Sequence, residues 1–141
     1  MSTEAVRNAI AASLVTSMSS RQPGLLLAFE NTKFTQPKGT AWVYVSILPG
    51  DTKRADIGST QRYHTCGVVN CQIFVPEDTG TQLLRQIGDS ITASLIDRQI
   101  QIAGQGSCTF YGVERKNRGT MNGWYSHTVA CEYRAWIIDL D

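Results

Sequence analysis

The sequence predicts an α+β domain, a largely antiparallel sheet with two amphipathic helices packed on one face. Three observations lead there. Two stretches carry apolar residues at helical spacing, Val6/Ile10/Leu14/Met18 and Leu83/Leu84/Ile87/Ile91/Leu95. Several runs rich in β-branched and aromatic residues fall between turn signals. These runs follow one another instead of alternating strictly with helices, which favours segregated α+β packing over a parallel sheet. At 141 residues the chain forms one domain, 1–141, large enough for a single core.

The first helix spans about Thr3 to Ser19. Ser2 or Thr3 caps it, Glu4 suits the positive end of its dipole, and Arg21-Gln22-Pro23-Gly24 stops it. Ala9, Ala11 and Val15 lie beside its stripe. Leu25–Glu30 reads as a short strand, followed by a polar connection over Asn31–Gly39. Trp42–Leu48 reads as a strand closed by Pro49-Gly50, and Tyr63–Val75 as a longer one ended by Pro76, with its odd positions facing inward. Between them Asp51–Arg62 is polar and charged, a long arm without apolar residues enough for a core of its own.

Pro76–Gly80 reads as the start of the second helix, with Asp78 or Thr79 as its cap and its end near Asp97. Ile100–Ala103 is a short strand candidate and Ser107–Arg115 another. Lys116–Gly123, with two Asn and two Gly, reads as a loop or wide turn. Trp124–Leu140 is the last and longest strand. Tyr125, Val129, Cys131, Tyr133, Ala135 and Ile137 are expected inward; Ser126, Thr128, Glu132 and Arg134 outward.

A net charge of +1 argues against a dedicated nucleic-acid binder. The sum hides a pattern, because positive charge gathers on the predicted loops. Lys53, Arg54 and Arg62 stand against Asp51 and Asp56, and Arg115, Lys116 and Arg118 against Glu114. These six bases are the candidate contacts to a partner or to a lumen. No apolar run is long enough to span a membrane, and the N-terminus lacks the layout of a secretory signal. The four cysteines are therefore expected as reduced thiols in the cytosol.

Chemistry is hard to place. His64, Cys66, Cys71, Cys108, His127 and Cys131 invite a metal reading, but they lie on strands without the paired spacing of a zinc site. Buried thiols acting as small hydrophobes explain them better. No Cys stands at a helix N-terminus or sharp elbow that would activate a nucleophile. Gly104-x-Gly106 lacks the Lys and Ser/Thr of a phosphate loop. The expectation is a protein that is not an enzyme and uses no cofactor or metal. Aromatics beside bases (Arg62-Tyr63, Tyr111 near Arg115, Trp124-Tyr125 after Arg118) leave open a small nucleic-acid-binding module.

Phe29-Glu30-Asn31, Phe34, Pro37, Gly39, Tyr44 and Val45 together resemble a pattern of the tail-terminator proteins of long-tailed bacteriophages. The order of elements and the chain length fit the same family. The resemblance implies an α+β fold that assembles as a homohexameric ring in the virion, after synthesis in the host cytoplasm. Such a ring caps the tail tube at its head-proximal end, stops tube polymerisation and joins the head-completion or neck protein. Genomic DNA passes through its lumen without sequence-specific binding. By that resemblance Asp51–Arg62 is an arm reaching the lumen, a neighbour or the tube, and Glu114–Gly123 a second contact. Another tail-tube or neck component of related fold is the alternative within the same class.

Overall fold

The structure is a computed structural model, and it describes residues 3–30, 35, 37, 39–54, 63–78, 80–102 and 106–137. The elements run α1 (Thr3–Arg21), β1 (Leu26–Phe29), β2 (Trp42–Arg54), β3 (Tyr63–Pro76), α2 (Gln82–Leu95), β4 (Gln99–Ile102), β5 (Gly106–Met121) and β6 (Trp124–Ile137). All six strands form one sheet in the order β1-β2-β3-β6-β5-β4. Pairing is antiparallel throughout except at β1–β2, which is parallel. A parallel neighbour needs a crossover, and residues 30–41 are the connection that supplies it.

Both helices turn their apolar stripes into one core. Val6, Ile10, Leu14 and Met18 of α1 are buried, as are Leu84, Ile87, Ile91 and Leu95 of α2. They meet the odd-numbered side chains of β2 (Val43, Val45, Ile47), β3 (Val69, Cys71, Ile73, Val75) and β6 (Val129, Cys131, Tyr133, Ala135, Ile137). The helices also touch each other through polar groups: the Ser17 and Ser94 hydroxyls are 2.7 Å apart, and Gln22 Nε2 donates to Ser90 Oγ at 3.0 Å. Val15 and Leu83, two residues expected beside or in the stripes, are about 40% exposed. Each lies one residue, about 100° of helix, from a buried neighbour, which rotates it out of the core.

Three boundaries differ from the sequence expectation. Strand β2 does not close at Pro49-Gly50 but runs on to Arg54, passing a register shift between Pro49 and Thr52. Proline is tolerated there because this is the outer side of the strand. Val45 accepts from Glu30 N and Ile47 N donates to Glu30 Oε1, so odd positions of β2 direct their backbone groups away from β3. Pro49 continues that alternation, and its missing N–H costs the β2–β3 ladder nothing. The Asp51–Arg62 arm is thus strand over Asp51–Arg54, while its remainder, with Asp56 and Arg62, lies outside the described residues.

Strand β5 likewise continues through the segment expected as a wide turn and ends only at Met121. The reversal is made by Asn122 (φ 53°) and Gly123 (φ 84°) alone. Two successive positive φ values are the mark of a type I′ turn, whose twist matches the flanking strands and whose preferred sequence is Asn-Gly. Two register shifts, between Phe110 and Val113 and between Asn117 and Gly119, absorb the extra residues of β5.

Helix α2 begins at Gln82 and not at Pro76–Gly80. Asp78 (φ 68°) and Gly80 (φ 81°) take left-handed backbone that no helix start accepts, and Glu77 N donates to Gly123 O at 2.9 Å. This stretch is spent turning the chain off the end of β3. Asp78 therefore does not cap the helix, Thr79 lies outside the described residues, and Thr81 stands at the N-cap without a side-chain bond.

Candidate assembly surface

The sheet face opposite the helices carries the even residues of β3 and β6 and those of β2 as far as Leu48, because directly paired residues share a face; past the register shift Lys53 takes that side of β2. Trp42, Phe74 and Trp124 meet at one end of it. Trp42 stacks on Phe74 with centroids 4.4 Å apart and meets Trp124 edge-on at 6.2 Å. Arg118 closes this end by donating from Nε to Thr128 Oγ1 at 3.1 Å. Together with Met121, Asn122, Gln72 and Ser126 these side chains line a cleft of about 370 Å³. The cover explains why Ser126 and Thr128, expected outward, are buried although they stand on the outer face.

At the other end of the same face His64 packs on Trp136, with centroids 4.7 Å apart. Exposed Lys53 lies directly across from His64, while the next residue, Arg54, pairs with Tyr63 at a position of the opposite face. Between the ends, Arg134 sits 5.0 Å over the Tyr111 ring and bonds Glu132 at 3.4 Å.

The structure therefore separates the predicted basic contacts. Lys53 and Arg54 are level with Tyr63 and His64 at the start of β3, whereas Lys116 is level with Gln72 through Thr128. Met121 and the turn lie level with Pro76, the far end of β3. Tyr63 and Pro76 are the two ends of this 14-residue strand, about 43 Å of contour apart at ~3.3 Å per step. Lys116 and Arg118 belong to the outer face near the aromatic end.

Arg115, paired with Val129, turns to the helix side. Its Nη1 pairs with Asp89 Oδ1 at 2.6 Å, and its guanidinium lies against Gly88, where a Cβ would meet it. A side chain at position 88 would push this guanidinium aside. Asp89 is 72% exposed, so the pair belongs with surface ion pairs worth about 0–1 kcal/mol.

Arg115 also shapes His127, whose Nε2 is buried without a hydrogen-bond partner among the described residues. Burial first, then the charges of Arg115 and Arg85, hold the imidazole below its ordinary pKa of 6.5. A histidine depressed in the folded state binds fewer protons folded than unfolded. Its stabilising contribution is complete above about pH 6.5 and is lost as pH falls below it. Urea midpoints are expected to fall between pH 7 and pH 5, with a shallower fall in His127→Gln; equal slopes in the two proteins would contradict this.

The thiols are packed. Burial pushes Cys71 and Cys108 up to about 12, with Cys131 adding to both, and burial raises Cys131 to about 11. At neutral pH these three stay protonated, as thiols buried in apolar surroundings do. All four cysteines are free, and the described residues hold no cluster of three or more His, Cys, Asp or Glu able to bind a metal. A second, larger groove of about 730 Å³ beside α1 is lined by Ala12, Ser13, Thr16, Ser17, Ser20, Arg21 and Arg98 and offers no nucleophile–base pair. No described helix is long and apolar enough to cross a membrane. The features that sequence reasoning missed are the Trp42/Phe74/Trp124 cluster and the length of β5, both products of pairing between distant strands.

Comparison with known proteins bears on this surface. A family model described as "Phage tail terminator protein" matches residues 5–133. A solved structure that carries no functional description superposes with a TM-score of 0.77 at 21% identity, covering 96% of each chain. A chain from the virion of a native gene transfer agent particle superposes with a TM-score of 0.57 at 12% identity, covering 94% of this chain and 93% of its own. At such identities these likenesses establish the fold. Curated proteins offer no match.

Proposed function

The chain belongs to the phage tail terminator family, and from that premise we propose that it forms a homo-oligomeric ring, hexameric by family resemblance, that caps the tail tube. Family membership makes it a structural protein of the bacteriophage virion tail. The finer reading is that the ring stops tube polymerisation at the head-proximal end, presents its other side to the head-completion or neck protein, and lets genomic DNA through its lumen. No catalytic step enters this account.

The observation that carries the reading is the pair of open sheet edges. β1 covers β2 only from Trp42 to Val45, and β4 covers β5 only from Gly106 to Thr109. Among the described residues no further strand pairs with either long strand on its outer side, beyond the bonds that Ile47 makes to Glu30 and Phe110 to Arg98. Open edges of this length invite pairing with another chain unless assembly covers them. Two different edges on opposite sides of one sheet make a head-to-tail contact, which closes into a ring when the rotation allows. The separated basic groups fit the same picture, with Lys53 and Arg54 toward one end of the sheet and Lys116 and Arg118 toward the other. Arg115, held by Asp89, supports its own subunit first.

Adding the purified protein to polymerising tail-tube protein tests the proposal. Tubes that stop elongating and carry a ring at one end are expected; unchanged elongation overturns it. A second reading is favoured by Arg118 beside Trp42, Phe74 and Trp124, since bases stack on aromatics and phosphates pair with Arg. A small nucleic-acid-binding module would bind DNA with a steep salt dependence through counterion release. A tube or neck component of the same fold would add to tubes without ending them.

A further inference from the structure

The two open edges have matching lengths, directions and charges, and from this we infer that neighbouring copies join by antiparallel pairing of Leu48–Arg54 of one subunit with Val113–Gly119 of the next, offset by six residues along the strands. The inference deepens the ring reading above and rests on it.

Direction comes first. β2 and β6 run antiparallel to β3, and β5 runs antiparallel to β6, so β2 and β5 run in opposite senses. In a ring whose subunits all point the same way, the β5 edge of one copy meets the β2 edge of the next antiparallel. That is the more stable pairing.

The offset follows from where each edge is open. On β2 the outward N–H of Ile47 is already taken by Glu30, so the free edge is Leu48–Arg54. These residues lie level with Val68 and Tyr63 of β3. On β5 the facing stretch, Val113–Gly119, lies level with Val69 and Phe74, read through Cys131 and Ser126. At both ends the step along β3 is the same, from 68 to 74 and from 63 to 69. With this step the segments lie flush, and β1 of one copy clears β4 of the other.

The offset is even, which two independent constraints require. An odd step would turn each neighbour's helices to the opposite side of the sheet. An odd step would also set outward-pointing backbone groups against inward-pointing ones. Val45, Ile47 and Phe110 mark the outward set, all level with odd residues of β3. An even step aligns the outward sets of the two copies. Pro49 then withholds one N–H from the shared ladder and limits how strongly the edge pairs elsewhere.

Charge fixes the step among even values. With six, Lys53 of one copy stands directly opposite Glu114 of the next. Asp51, whose carbonyl accepts from Cys66 at 3.7 Å, comes level with Lys116. All four side chains are exposed in the single chain. Two opposite-charge cross-strand pairs result, on the face away from the helices. A step of six residues at ~3.3 Å over four long strands ~4.8 Å apart corresponds to a strand tilt of about 45°, close to the tilt of closed barrels. The bulky helices then lie outside and the helix-free face lines the lumen.

The test uses the full chain carrying Lys53→Cys and Glu114→Cys. These positions form a non-hydrogen-bonded pair, with Cα atoms about 4.5 Å apart, within disulfide reach. Oxidation is expected to give a ladder of covalent oligomers ending at the ring size, absent from each single-cysteine variant. As a second measurement, Lys53→Glu or Glu114→Lys alone should weaken assembly about tenfold or more, and the two together should restore it. A ring that forms without the Lys53–Glu114 cross-link and ignores the charge swap overturns the pairing and leaves the ring reading standing. A cross-linked ring that fails to stop tubes keeps the pairing and overturns the terminator reading. A chain that stays monomeric at every concentration and never cross-links overturns the pairing.

Discussion

Phe110→Ala is expected to remove about 3–5 kcal/mol of stability and to lower the melting temperature by about 10 °C or more. Phe110 is 1% exposed and has the largest of the fully buried side chains. It sits on β5 opposite Tyr133, just before the register shift that lets the strand run on toward the turn. Its backbone N–H also bonds Arg98 O at 2.8 Å, just ahead of β4, continuing the pairing of that edge strand. Truncation leaves a cavity that a ring-sized gap in a paired sheet cannot close, so the loss includes the cavity cost as well as the transfer cost. Phe110→Leu fills most of that space and should recover more than half of the difference. Thermal and urea unfolding of the three proteins check this; an alanine variant melting within a degree or two of the parent would show that the core is not centred there.

Reversing Lys53→Glu/Arg54→Glu is expected to leave the fold intact and to abolish tube capping. Lys53 is exposed at the far end of β2, away from the core cluster, and surface changes at such positions rarely move stability by more than about 0.5 kcal/mol. Like charges brought together at an interface cost several kcal/mol, and each 1.4 kcal/mol is tenfold in affinity. The unfolding curve should therefore be unchanged while tube ends go uncapped. A variant that still caps tubes at the parent's concentration would remove this end of the sheet from the assembly contacts. The matching experiment at the other end, Arg118→Glu, reads whether the aromatic cleft and its arginine serve a separate partner.

Much of the fold was legible because the periodicities are strong. The stripes of α1 and α2 and the inward sets of β3 and β6 stand where the alternation puts them, since burial on one face fixes both periods. The misread places share a cause. Pro49-Gly50 and Lys116–Gly123 are punctuation in a local reading, yet Pro49-Gly50 and all of Lys116–Met121 lie inside strands, because β3 and β6 hold them in the ladder and the register shifts absorb their irregularity. Asn122-Gly123 was visible as a turn pair, but only the pairing of Met121 with Trp124 shows that it is the whole turn. Asp78 looked like a cap from composition and proved to be a left-handed turn residue. The six candidate bases were found as two charge clusters in sequence. That Lys53 and Arg54 lie toward one end of the sheet and Lys116 and Arg118 toward the other, and that Arg115 bonds Asp89 on the helix side, depends on strand register and on a bulge, neither of which one sequence encodes locally. The open edges were legible only as an expectation, since an edge is defined by what does not pair with it.

The mass of the purified chain by light scattering, across concentration and salt, tests the ring most directly. The account predicts a discrete species, near six subunits by family resemblance, that persists as salt is raised because backbone pairing carries the contact. A chain that remains a monomer at all concentrations, while binding DNA with an affinity that collapses as salt rises, would contradict it and leave the nucleic-acid module in its place.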